Sequence, residues 1–147
     1  MNWFERWAAG SLTVYVADAR QQHRERVCRL LRMARLDCRE FGDGAAAIAA
    51  MGADSTVNPA PDMLVTDLGG GQHCLRIARV LRPGLVVIGL SPLIRINTGM
   101  QFSPLRDLLG ADYLLPRPVD PAELLATVVL AASEVETIDA DAVATAS

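Results

Sequence analysis

The sequence contains no lysine, and all 14 of its basic residues are arginine. Aromatic residues are scarce at 5%, and the three cysteines, Cys28, Cys38 and Cys74, form no C-x-x-C pair. An odd count argues against a disulfide framework and leaves them as small, buried apolar residues. Neither sign of charge dominates: 14 basic and 17 acidic residues give a net charge of −3. Four of the acids (Glu134, Glu136, Asp139, Asp141) sit near the C-terminus with no basic residue among them. Without them the net charge is about +1, so neither a nucleic acid nor a membrane surface is indicated as a partner. No long hydrophobic run is present. The longest apolar stretch free of charge, around Leu85–Leu90, is far short of the roughly 20 residues of a membrane span. Trp3, Phe4 and Glu5 open the chain without a basic region ahead of an apolar stretch, so no signal peptide is expected and the expected compartment is the cytoplasm. His23 and His73 have no partner at ligand spacing and are expected to be solvated or packed.

What is present is apolar: 51% of the 147 residues, enough for one domain with a sizeable core. Leu12–Ala17 reads as a β-branched, aromatic strand ending at Asp18. Arg20–Leu36 carries Val27, Leu30, Leu31 and Ala34 at helical spacing, with its arginines on the other faces. Cys38–Phe41 is a candidate second strand, and Ala45–Met51 an alanine-rich helix closed by Gly52. Residues Ala53–Pro61 read as loop. Met63–Thr66 is a third strand running into Asp67, and Gly69–Gly71 precedes a helix with Leu75, Ala78 and Leu81. Leu85–Leu90 is a fourth strand, apolar on both alternations apart from Gly89, as a strand covered on both faces should be. Ser103-Pro104 reads as a helix start leading to Leu105–Leu109 and Gly110. Tyr113–Leu115 is a fifth strand, and Asp120-Pro121-Ala122-Glu123 opens a last helix running to about Ala132.

Strands alternating with helices argue for a doubly wound, five-stranded parallel sheet with helices on both faces. Function in such sheets collects at the carboxyl ends of the strands. The polar residues just past strands one, three, four and five are Asp18, Asp67, Ser91 and Arg117, so two carboxylates, a hydroxyl and a guanidinium share one rim.

This constellation resembles the receiver domain of two-component response regulators, a flavodoxin-like fold. The likeness rests on Val14-Tyr15-Val16-Ala17-Asp18, Asp62-Met63-Leu64-Val65-Thr66-Asp67-Leu68, Val87-Ile88-Gly89-Leu90-Ser91, Gly110 through Pro118, and Asp120 through Leu125. It covers a receiver-like domain over residues 11–132, and the sequence outside it reads as an aromatic N-terminal segment over 1–10 and an acidic flexible tail over 133–147. The likeness implies a stand-alone module in a phosphorelay, with no enzymatic output, signalling through protein–protein binding. Asp67 would be the phosphoacceptor, Ser91 a ligand of the phosphoryl oxygens and Arg117 their cation. Magnesium would be held by Asp18, Asp67 and the Gly69 carbonyl, a hard-oxygen set suited to that ion. The partners implied are a histidine kinase or phosphotransfer protein and a downstream protein.

The departures from the family pattern are substantial. Where two acids usually follow the first strand, Ala17 precedes a single Asp18, which should weaken magnesium binding by about tenfold or more. The usual lysine is Arg117, a planar fork that is not equivalent to an ammonium. The aromatic switch position is Leu114, and alternation points the neighbouring Tyr113 to the opposite face. Arg117 is either a surface arginine or a partner of Asp67 that mimics an occupied site. These departures favour an alternative, a pseudo-receiver that binds protein without phosphorylation. Asp18 could instead be a helix cap, and Ser91 a turn hydroxyl. A third reading, a small flavodoxin-like nucleotide-binding enzyme, would use Gly69–Gly71 as a phosphate cradle, but the chain has no Gly-x-Gly-x-x-Gly fingerprint or Walker lysine. The arginines of the first long helix (Arg20, Arg24, Arg26, Arg29, Arg32, Arg35) form a solvated face or a kinase-docking face. Trp3, Phe4 and Trp7 lie on one side of a helical turn and pack on the domain, form a homodimer or bind a partner.

Overall fold

The computed structural model describes residues 1–52, 59–69, 72–91 and 110–135. These form α1 (Trp3–Ala8), β1 (Thr13–Ala17), α2 (Gln21–Met33), β2 (Asp37–Phe41) and α3 (Gly44–Gly52). Next come β3 (Met63–Asp67), α4 (Gln72–Leu81), β4 (Val86–Ser91), β5 (Tyr113–Pro116) and α5 (Pro121–Ser133). The five strands make one parallel sheet in the order β2-β1-β3-β4-β5, as the alternating pattern predicts. Gly70 and Gly71, the helix expected from Ser103, and residues 136–147 with Glu136, Asp139 and Asp141 lie outside the described residues, as does most of the loop after Gly52.

The strands follow from their sequences. β1 is buried at all five positions and β4 at all but Ser91, so both are apolar on each alternation. β2, at the sheet edge, carries Asp37, Arg39 and Glu40, charges that discourage further pairing there. Period-two alternation divides the core. Val14, Val16 and Tyr113 face α2 and α5 with Val27, Leu31, Leu124 and Val128. Tyr15, Leu64, Val87 and Leu114 face α3 and α4 with Ala47, Leu75 and Ala78. Tyr113 and Leu114 therefore point to opposite faces, as expected.

Helix ends match their signals with small shifts. α5 opens on Asp120, whose Oδ2 accepts the Glu123 N–H at 3.0 Å, with proline at the first helical position. α2 stops at Met33 rather than Leu36 because Arg35 takes a left-handed φ of 67°. Leu36 is then free to bury in the core. Val135, past the expected end of the domain at 132, is also buried.

α1 is fastened to the sheet by contacts that no local pattern announces. Arg6 sets both guanidinium nitrogens on Asp62, Nη1 to Oδ1 at 2.9 Å and Nη2 to Oδ2 at 2.7 Å. Asp62, buried just before β3, also accepts the Thr13 N–H at 3.0 Å. Trp7 Nε1 donates to the Ala34 carbonyl at 2.7 Å, and Trp3 and Trp7 pack against the α2–α5 core. Two of the three aromatics thus pack on the domain, while Phe4 stays 66% exposed.

Candidate functional site

The register of the sheet brings the four sequence-predicted rim residues to one end. Asp18 follows β1, Asp67 ends β3, Ser91 ends β4 beside Pro116, and Arg117 follows β5. The Arg117 N–H donates to the Ser91 carbonyl at 3.2 Å. The Arg117–Pro118 peptide is cis. Beyond Asp67, Leu68 folds over Gly89, where a Cβ would lie only 2.7 Å from Leu68 Cδ1. The missing side chain in β4 is what gives Leu68 room.

Arg117 is not a surface arginine. Its side chain is 3% exposed, and its Nη1 lies 3.0 Å from Asp67 Oδ2. Both Nη1 and Nη2 lie 3.3 Å from Asp18 Oδ1. One guanidinium therefore joins the two carboxylates, using the fork geometry that an ammonium lacks. Asp67 is the outer member, 31% exposed, and its Oδ1 accepts the Gly69 N–H at 3.0 Å. Gly69 thus meets Asp67 through its amide.

Asp18 is the inner member, with no side-chain exposure. Its Oδ1 also accepts the Arg20 N–H at 2.9 Å, the turn role that a helix-entry aspartate suggests. Its Oδ2 lies 2.6 Å from His23 Nδ1, and the other ring nitrogen, Nε2, accepts the Val119 N–H at 3.3 Å. That pattern assigns the proton to Nδ1. Burial alone would raise the Asp18 carboxyl. The Arg20 N–H, His23 and the Arg117 charge outweigh it and hold the group below its ordinary value.

Sequence spacing implies a solvated or packed His23; the structure makes it a bonded member of the site. The signal was its place one turn beyond Asp18 on the helix that follows. Arg24 is similarly drawn in: Nη1 donates to the Asp18 carbonyl at 2.9 Å and Nε to Glu40 at 3.3 Å. Arg20, Arg26, Arg29, Arg32 and Arg35 remain exposed, although Arg32 also donates to the Cys38 carbonyl.

These residues do not fit a magnesium site. Ala17 supplies no ligand, both Asp18 oxygens are engaged, and a guanidinium already lies between the carboxylates that the ion would bridge. Among the described residues no group of three ligating side chains is positioned to hold a metal. A cavity of about 310 Å³ opens beside Asp67, lined by Ala17, Asp18, Asp43, Ile48, Thr66 and Asp67 among others. Its charged lining is anionic, the wrong sign for the phosphates of a nucleotide.

No family model matches the chain, and no curated protein does. Solved structures do. A response regulator receiver domain protein from Methanospirillum hungatei superimposes with a TM-score of 0.69 at 18% identity, covering 84% of this chain and 94% of that one. The receiver domain of a Francisella response regulator gives 0.66 at 21%, covering 85% and 99%. A putative pilus assembly-related protein from Burkholderia pseudomallei gives 0.66 at 22%, covering 88% and 96%. The chain has the flavodoxin-like receiver fold. No helix among the described residues is long and apolar enough to cross a membrane.

Proposed function

We propose that this chain is a pseudo-receiver: a receiver-fold signalling module that binds a partner protein without phosphoryl transfer at Asp67. The observation that carries this reading is the single guanidinium of Arg117 shared between Asp18 and Asp67. A phosphoacceptor carboxylate needs a cation to offset the incoming phosphoryl charge and free oxygens to attack with. Here the cation is part of the chain and holds one of the Asp67 oxygens, while the Gly69 amide holds the other. The internal ion pairs stand in for the metal and the modification together, and the module's output is its surface.

A second reading keeps Asp67 as phosphoacceptor for a histidine kinase or phosphotransfer protein, with Ser91 and Arg117 holding the phosphoryl oxygens. Its support is the partial exposure of Asp67, whose side chain is 31% exposed. Incubation with acetyl phosphate and magnesium, followed by intact-mass analysis of wild type and Asp67→Asn, separates the two. The pseudo-receiver takes up no label. A phosphoryl adduct present in wild type and absent from Asp67→Asn establishes the second reading.

A further inference from the structure

Cys28 on α2 and Cys38 on β2 stand ten residues apart in sequence, and both are buried free thiols. Cys38 Sγ lies 2.6 Å from Cys28 Sγ, closer than two unbonded sulfurs ordinarily pack. Both sulfurs sit inside the core between α2 and the sheet, and no packing separates them. Cys74, the remaining cysteine, belongs to α4 on the opposite face of the sheet and is only partly buried.

We infer that Cys28 and Cys38 are a disulfide-forming pair, a modification site that cross-links α2 to β2 when a low-molecular-weight disulfide such as oxidised glutathione is the oxidant. One cysteine thiolate attacks the glutathione disulfide and expels one glutathione thiolate, leaving a mixed disulfide. The second cysteine attacks the protein sulfur of that mixed disulfide and expels the other glutathione. Two protein thiols are oxidised by two electrons, one glutathione disulfide is reduced to two thiols, and the cysteine protons pass to the departing thiolates.

The neighbouring Cys28 sulfur and burial push the Cys38 thiol up, so Cys38 stays protonated in the folded chain and the pair reacts on opening or during folding. The elements joined are those that grip Asp18. α2 carries His23 and Arg24, and the Phe41 carbonyl at the end of β2 accepts the Asp18 N–H at 3.1 Å. Oxidation would fix both walls of that residue, whichever way Asp67 functions.

The test is exchange of the full chain with a series of reduced and oxidised glutathione mixtures, once refolded and once held in denaturant. Each sample is acid-quenched, alkylated and peptide-mapped. The fold stabilises the disulfide by as much as the disulfide stabilises the fold, so the equilibrium constant for a Cys28–Cys38 link should be about tenfold or more larger in the refolded chain. Cys74 is then recovered alkylated or carrying glutathione. Equal constants in the two states, or links that run through Cys74, would overturn the inference.

Discussion

Arg117 Nη1 lies 3.0 Å from Asp67 Oδ2, in a side chain that is 3% exposed. The same guanidinium reaches Asp18, which has no side-chain exposure at all. An arginine at the end of β5 thereby places its charge between the ends of β1 and β3. Two carboxylates around one guanidinium leave one net negative charge; Asp67 keeps one edge toward solvent while Asp18 is sealed.

Removing Arg117 should be costly. Arg117→Ala leaves Asp18 buried with its remaining partners, and breaking a buried pair in this way costs about 3–5 kcal/mol. Urea unfolding should show that loss. Arg117→Lys should recover only part of it, because an ammonium cannot set separate nitrogens on two carboxylates. Full recovery by lysine would show that the fork geometry is unimportant.

Stability should fall in acid. The folded Asp18 carboxyl titrates below its ordinary value of 3.8, so the unfolded chain takes up the proton first as pH drops. The Asp18 contribution is fully present above the unfolded value and is lost as pH falls through the depressed folded value. Denaturant midpoints measured from neutral pH down to acid should decline across that window. A carboxyl in Asp18 that NMR titrates at or above the ordinary value would contradict the network.

His23 should behave as a single tautomer. Nitrogen-15 spectra should show Nδ1 protonated and Nε2 bare, as its bonds to Asp18 and Val119 require. His23→Phe fills the space but leaves an acceptor on Asp18 and a donor on Val119 unmet, at about 1–3 kcal/mol for each buried group. A variant as stable as wild type would mean that neither bond matters.

The N-terminal helix should contribute to stability. Arg6→Ala removes a two-pronged partner from Asp62, which is 6% exposed, and should cost about 2 kcal/mol. Deletion of residues 1–10 removes Trp3 and Trp7 as well and should cost more. Thermal melts of the two variants provide the check. An unchanged deletion variant would show that α1 merely rests on the domain.

Much of this arrangement was legible in the sequence. Apolar strands alternating with helices implied the parallel sheet, and the rule that sites collect at strand carboxyl ends brought Asp18, Asp67, Ser91 and Arg117 together. Local chemistry placed the α5 start at Asp120-Pro121. What remained hidden depends on contacts between distant residues. Arg6 and Asp62 are 56 positions apart, and neither hydrophobic period nor capping pattern links them. Sequence left open whether Arg117 faced solvent or Asp67, because the residue before a proline can point either way; only the neighbouring strands settle its burial. Ligand spacing gives no signal for His23, because its use is to bond the Asp18 carboxylate just ahead of its helix rather than a metal. The cysteine pair was invisible to spacing rules, since its partners lie on a helix and the strand that follows it.

The most direct test of the central claim is a magnesium titration with and without beryllofluoride, followed by amide NMR on wild type and Asp67→Asn. If Arg117 has replaced the metal, the amides of Asp67, Ser91 and Arg117 stay in place through millimolar magnesium, and beryllofluoride changes nothing. Saturable shifts centred on those three residues, present in wild type and lost in Asp67→Asn, would contradict the account and show a working phosphoacceptor site.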